Sequence, residues 1–120
     1  AVVCIITSNT EVDDVFDLNV CQDSCSKLDG LLCTPFEKTI YLDTDTYFCE
    51  SCEGLFDLLD HYDICMAEAP NEDELFDGYR PLNSGVIVYS RSSFDVFKTA
   101  AEQYSYSNCG KVAKNDQHYM

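Results

Sequence analysis

The chain opens on a short unbroken apolar run, Ala1-Val2-Val3-Cys4-Ile5-Ile6-Thr7, rich in β-branched side chains and followed by the turn formers Ser8-Asn9-Thr10. Such a run predicts a strand buried on both faces. A weaker strand is predicted over residues 15–20. Over residues 22–32, Cys25, Leu28, Leu31 and Leu32 fall near helical spacing and Pro35 closes the segment, so a helix is predicted there in spite of Gly30. Residues 39–42 return to strand. From residue 51 to 61, Leu55, Phe56, Leu58 and Leu59 share a broad helical face with Tyr62, and Ser51 stands where a cap is needed. Strands follow over 63–69 and 86–89, separated by the acidic loop Asn71-Glu72-Asp73-Glu74. Ser92-x-x-Asp95 then has the form of a capping box ahead of a helix that turns Phe94, Phe97, Ala101 and Tyr104 inward. Strands alternating with helices predict a largely parallel, right-handed α/β sheet in one domain spanning residues 1–120.

Composition narrows the partners. The 120 residues carry 22 acidic against 7 basic side chains, a net charge of −15. That balance argues against nucleic acid or an anionic membrane as partner. No apolar stretch approaches the roughly 20 residues needed to span a bilayer. A chain so acidic repels a phosphate ligand unless a cation sits between them, so any diphosphate is expected to arrive with metal. Eight cysteines are present. Cys4 and Cys65 lie in apolar runs and read as small buried hydrophobes, while Cys49-x2-Cys52 has zinc-knuckle spacing without a second pair to complete a site. Mostly reduced thiols, and with them a cytoplasmic location, are the expectation.

The segment with most chemistry is Thr39-Ile40-Tyr41-Leu42-Asp43-Thr44-Asp45-Thr46. If the strand continues through it, Asp43 and Asp45 project to one side, where two carboxylates can share a hard divalent cation with substrate phosphates. Other readings compete. A haloacid-dehalogenase-type phosphatase uses D-x-D-x-T, and Tyr47 occupies the Thr position; an EF-hand loop needs Gly and Glu where Phe48 and Gly54 stand. Two solvated carboxylates at a strand end are the plainest alternative. Leu82-Asn83-Ser84-Gly85 reads as a turn before the strand over 86–89, with Asn83 as donor and acceptor and Gly85 permitting close backbone approach. Asn115-Asp116-Gln117-His118 clusters polar groups at a predicted helix start, and His118 alone lacks the company of a metal site.

Taken in order, residues 35–46 with their DxD, then Leu55-Phe56-Asp57-Leu58-Leu59, then Leu82-Asn83-Ser84-Gly85-Val86, then Asn115-Asp116-Gln117, resemble the GT-A nucleotide-diphospho-sugar transferases, including the glycogenin-like and related putative transferase families. The resemblance runs from about Lys27 to the end. It implies a three-layer, Rossmann-like, mostly parallel α/β sheet and metal-dependent transfer of a sugar from a UDP- or GDP-sugar to an acceptor. It implies Mn2+ or Mg2+ on Asp43 and Asp45, donor or acceptor contacts at Lys27, Asn83, Ser84 and Gly85, and catalytic positions at Asp116 and Gln117. Two features depart from the family: the base-binding first βα unit and the C-terminal His segment are not recognisable, so the chain looks like the middle of such a domain. A catalytically inactive nucleotide-sugar, metal-binding or oligomerising module of the same descent is the alternative, and a DxD phosphohydrolase a further one. An open sheet edge would favour a homo-oligomer.

Overall fold

A computed structural model describes residues 3–7, 17–21, 27–69 and 80–108. The elements are β1 (Cys4–Thr7), β2 (Leu18–Cys21), α1 (Lys27–Leu32), β3 (Lys38–Leu42), a 3-10 helix (Glu53–Asp60), β4 (Ile64–Glu68), β5 (Leu82–Ser90), a short 3-10 turn (Arg91–Ser93) and α2 (Phe94–Asn108). β1 and β2 pair in parallel, Cys4 opposite Leu18. The larger sheet has the order β3-β5-β4, and β5 runs antiparallel to both neighbours.

This overturns the expected mostly parallel, three-layer Rossmann-like sheet. The sequence between β4 and β5 is acidic and carries no apolar helical pattern. Parallel neighbours need a crossover, usually a helix, whereas a simple return makes the pair antiparallel. β3 and β4, which do have a helical segment between them, run in the same direction but on opposite sides of β5.

The core forms where α1 and α2 pack together over one face of this sheet. Leu28, Leu31, Ile87, Tyr89, Phe97 and Ala100 are buried there, and Leu32, Tyr41, Ile64, Met66, Phe94 and Ala101 pack against them. Ile87 and Tyr89 alternate with Val88, which is buried on the other face as strand periodicity requires. Tyr89 and Phe97 meet edge to face with centroids 5.0 Å apart, a geometry worth about 0.5–1.5 kcal/mol beyond burial. The Tyr89 hydroxyl donates to the Leu31 carbonyl at 2.7 Å, fastening α1 to β5. Burial pushes the Tyr89 phenol up to about 12, the neighbouring Thr39 and Thr34 hydroxyls opposing that shift.

Local expectations fare unevenly. α1 begins at Lys27; residues 22–26 of the predicted helix lie outside the described residues, as do Ala1 and Val2 of the first predicted strand and residues 71–74. The predicted helix over 51–61 is a 3-10 helix with no buried residue, and its N-cap position is Cys52, which makes no side-chain cap hydrogen bond, rather than Ser51. Leu58 and Tyr62 are exposed instead of lining a packed face. Eight residues with Gly54 among them give little α-helical cooperativity. Ser92 donates to Asp63 Oδ1 at 2.6 Å, so its hydroxyl is engaged across the chain rather than in a capping box with Asp95. Cys65 is only half-buried, where a fully buried side chain was expected.

Candidate functional site

The candidate site begins where β3 ends. The strand stops at Leu42, and the Thr46 amide donates to the Asp43 carbonyl at 3.1 Å, closing a turn over residues 43–46. Strand alternation therefore does not carry through Asp43 and Asp45. Asp43 is partly covered, while Asp45 is exposed in the turn.

On the neighbouring strand, Leu82-Asn83-Ser84-Gly85 is not a turn but the first half of β5. From Met66 to Ala67, β4 advances one residue while its partner on β5 moves from Ile87 to Asn83, leaving Ser84, Gly85 and Val86 without a β4 partner. Bulges of this kind re-aim side chains next to binding sites. Within the bulge the Asn83 side-chain oxygen accepts from the Gly85 amide at 2.8 Å, and the Gly85 carbonyl accepts from the Asp43 amide at 3.0 Å. A Cβ on Gly85 would stand 3.0 Å from Asn83 Oδ1 and 3.4 Å from Asp43 Oδ2, so the Asn83 side chain would have to give by a few tenths of an ångström while Asp43 would come into ordinary contact.

Lys27, the first residue of α1, reaches across to both strands. Its ammonium lies 2.9 Å from Asp43 Oδ1 and 3.3 Å from Oδ2, and donates to the Ser84 hydroxyl at 3.2 Å and the Ser84 carbonyl at 3.4 Å. The pair is neither buried nor free in water, with side chains 21% and 33% exposed. Ser84 itself is buried. Lys27, Asp43, Asn83, Ser84 and Gly85, far apart in sequence, thus meet in one place.

Tyr41 completes the group and was not anticipated. Its hydroxyl donates to Asp43 Oδ1 at 2.9 Å, and Lys27 sits over its ring, 5.6 Å from the centroid. No motif singled Tyr41 out; its only signal was its place in the sequence, two residues before Asp43 at the end of β3.

No known protein family, curated protein or solved structure matches the chain.

Two carboxylates near a strand end suit a hard cation that takes its remaining ligands from phosphate oxygens and water. Among the described residues, no three His, Cys, Asp or Glu side chains group to hold a metal ion. Asp116, Gln117 and His118 lie outside the described residues. Cys33, Cys49, Cys52 and Cys65 are not joined in disulfides. Among the described residues, no helix is long and apolar enough to cross a membrane.

Proposed function

We propose that this site binds a nucleotide-diphosphate sugar together with a divalent cation and serves glycosyl transfer from it. The observation that carries the reading is the Lys27 ammonium held between Asp43 and Ser84, at the unpaired bulge of β5. A purely structural ion pair would gain nothing from a glycine and a bulge beside it. A diphosphate site gains from both, because phosphate oxygens need close backbone approach, a cationic side chain and a carboxylate for the shared metal.

In this reading Asp43, with Asp45 beside it in the turn, would hold Mn2+ or Mg2+. A cation so placed neutralises charge that develops on a departing diphosphate. Lys27 supplies a second positive charge from the protein itself, directed by Ser84. Tyr41 fixes the Asp43 carboxylate through Oδ1. Asn83 uses its side-chain oxygen on the Gly85 amide, which leaves its amide nitrogen to donate to a sugar hydroxyl. The ordered run of motifs resembling nucleotide-sugar transferases supports the same reading.

Calorimetry with UDP tests it. UDP binding is expected in Mn2+, to be lost in EDTA, and to weaken about tenfold or more in Asp43→Asn, the effect of removing a metal ligand or its second-shell support. Equal binding in EDTA, or an Asp43→Asn variant that binds as well as the parent, would refute the proposal. Release of sugar from UDP-sugars in Mn2+ then separates a transferase from a module that only binds.

A further inference from the structure

We propose that Cys49 and Cys52 form a redox-active dithiol, which closes reversibly to an intramolecular disulfide by exchange with a small neutral or cationic disulfide, Cys49 attacking and Cys52 resolving.

The fold asks less of these two thiols than of the other cysteines it describes. Cys33 donates to the Asp29 carbonyl at 3.4 Å, and Cys65 lies within β4, paired with Val88. Cys49 is exposed, and Cys52 stands partly covered at the N-cap of the 3-10 helix without making a side-chain cap hydrogen bond. The backbone between them suits ring closure. A disulfide needs Cα atoms about 4.4–6.8 Å apart, whereas a fully extended stretch of this length would hold them about 10 Å apart. The chain is not extended here: it bends at Cys49 and Glu50. Cys52, at φ −105° and ψ 7°, already turns into the helix, its carbonyl accepting from the Leu55 amide at 2.9 Å. Closing the ring draws in surface chain alone. Tyr47 and Phe48 before it are 82% and 63% exposed, and the 3-10 helix after it has no buried residue, so no core contact has to break.

Exposure sets the order of events, because thiol–disulfide exchange depends on access to the attacking thiolate. Cys49 attacks first: its sulfur bonds to one sulfur of the small disulfide, and the other departs as a thiolate and takes up a proton. Cys52 then gives up its proton and attacks the Cys49 sulfur, expelling the second small thiol. Two electrons leave the dithiol, and one small disulfide becomes two thiols. The second step is intramolecular and therefore fast. Charge selects the partner. Glu50 between the cysteines and Glu53 directly after them are exposed, on a chain of net charge −15, so an anionic disulfide is repelled while a neutral or cationic one is not.

The test treats the reduced 120-residue chain, freed of reductant, with hydroxyethyl disulfide in mildly alkaline buffer, followed by timed alkylation and peptide mass spectrometry. In the parent, Cys49 and Cys52 are expected to lose alkylation together while Cys33 and Cys65 keep it. The linked peptide should be lighter by two hydrogens, and dithiothreitol should restore both thiols. In Cys52→Ser, the mercaptoethanol adduct on Cys49 is expected to accumulate about tenfold or more above its level in the parent, since nothing resolves it. Cys52→Ala is a second replacement should the first misfold, with circular dichroism as the check. An adduct on Cys49 as persistent in the parent as in the Cys52 variants overturns the dithiol. So does a disulfide from Cys49 to any cysteine other than Cys52, or oxidation of Cys33 and Cys65 ahead of the pair. Cystamine, a cationic disulfide, should oxidise the pair severalfold faster than the anionic dithiodipropionate at low salt, with the difference shrinking at high salt. Equal rates at low salt overturn the charge selection.

Discussion

Replacing Tyr89 with Phe should reverse its effect on stability as the pH rises. Tyr89 is 1% exposed, and its hydroxyl donates to the Leu31 carbonyl at 2.7 Å. Near neutrality the phenylalanine variant leaves that carbonyl without its donor, a loss of about 1–2 kcal/mol. The phenol's pKa rises from 10.0 to about 12 in the fold, chiefly through burial. A raised folded pKa means that the folded state keeps its proton while the unfolded chain loses it, so stability is full below about pH 10 and falls as the pH climbs to 12. Two units amount to about 2.7 kcal/mol at 1.36 kcal/mol each, drawn from the parent and not from Tyr89→Phe. The two losses balance near pH 11, at roughly 1.4 kcal/mol for the first unit of the climb. Urea unfolding of both proteins from pH 7 to 11.5 reads the difference directly, since every other titrating side chain is common to both. The parent should be the more stable at pH 7, and the variant the more stable above about pH 11. A gap that stays constant across the range would refute the protonation argument. A gap of zero at pH 7 would refute the hydrogen bond.

Gly85→Ala should weaken Mn2+-dependent UDP binding while the chain remains folded, because the new Cβ stands 3.0 Å from Asn83 Oδ1 and 3.4 Å from Asp43 Oδ2. The expected loss of stability is about 1 kcal/mol, for the Asn83–Gly85 hydrogen bond; unchanged calorimetry and unchanged thermal unfolding would count against the close approach. Timed maleimide labelling followed by peptide mass spectrometry should modify Cys49, the exposed thiol, before Cys33, Cys52 and Cys65, which are each partly covered. Cys33 also donates to the Asp29 carbonyl at 3.4 Å, and faster labelling there than at Cys49 would contradict the described exposure.

What could be read in advance was local. The strand over 39–42, the strand over 63–69, the inward faces of Phe94 and Phe97 and the strand over 86–89 all follow from periodicities that a few neighbouring residues impose. Strand direction does not, because it depends on what connects the strands: the segment between β4 and β5 lacks a helical pattern, and that absence was the available evidence for an antiparallel return. The same limit explains the site. Lys27, Asp43, Asn83, Ser84 and Gly85 could be named from residue type and from an ordered resemblance, yet Ser84 and Gly85 read as turn formers on composition alone. Pairing with β4, Ala67 opposite Asn83 and Glu68 opposite Leu82, overrides that preference and carries the strand back to Leu82. Alternation failed at Asp45 for the opposite reason, since the turn over residues 43–46 breaks the strand before its pattern can apply.

The bulge in β5 divides one strand into two parts that can change separately. Tyr89, Val88 and Ile87 keep their register with Ile64, Cys65 and Met66, and through Ile87 and Tyr89 they stay fixed in the core. Ser84 and Gly85 owe β4 no such register. A change at that stretch can therefore alter what lies beside Asp43 and Lys27 without shifting the register of Ile87, Val88 and Tyr89. Evolvability of this kind does not require surplus stability across the whole domain. It requires only that the backbone bonds of the variable half be made elsewhere, here to Asp43 and to the Asn83 side chain, so that recognition drifts while the framework holds still.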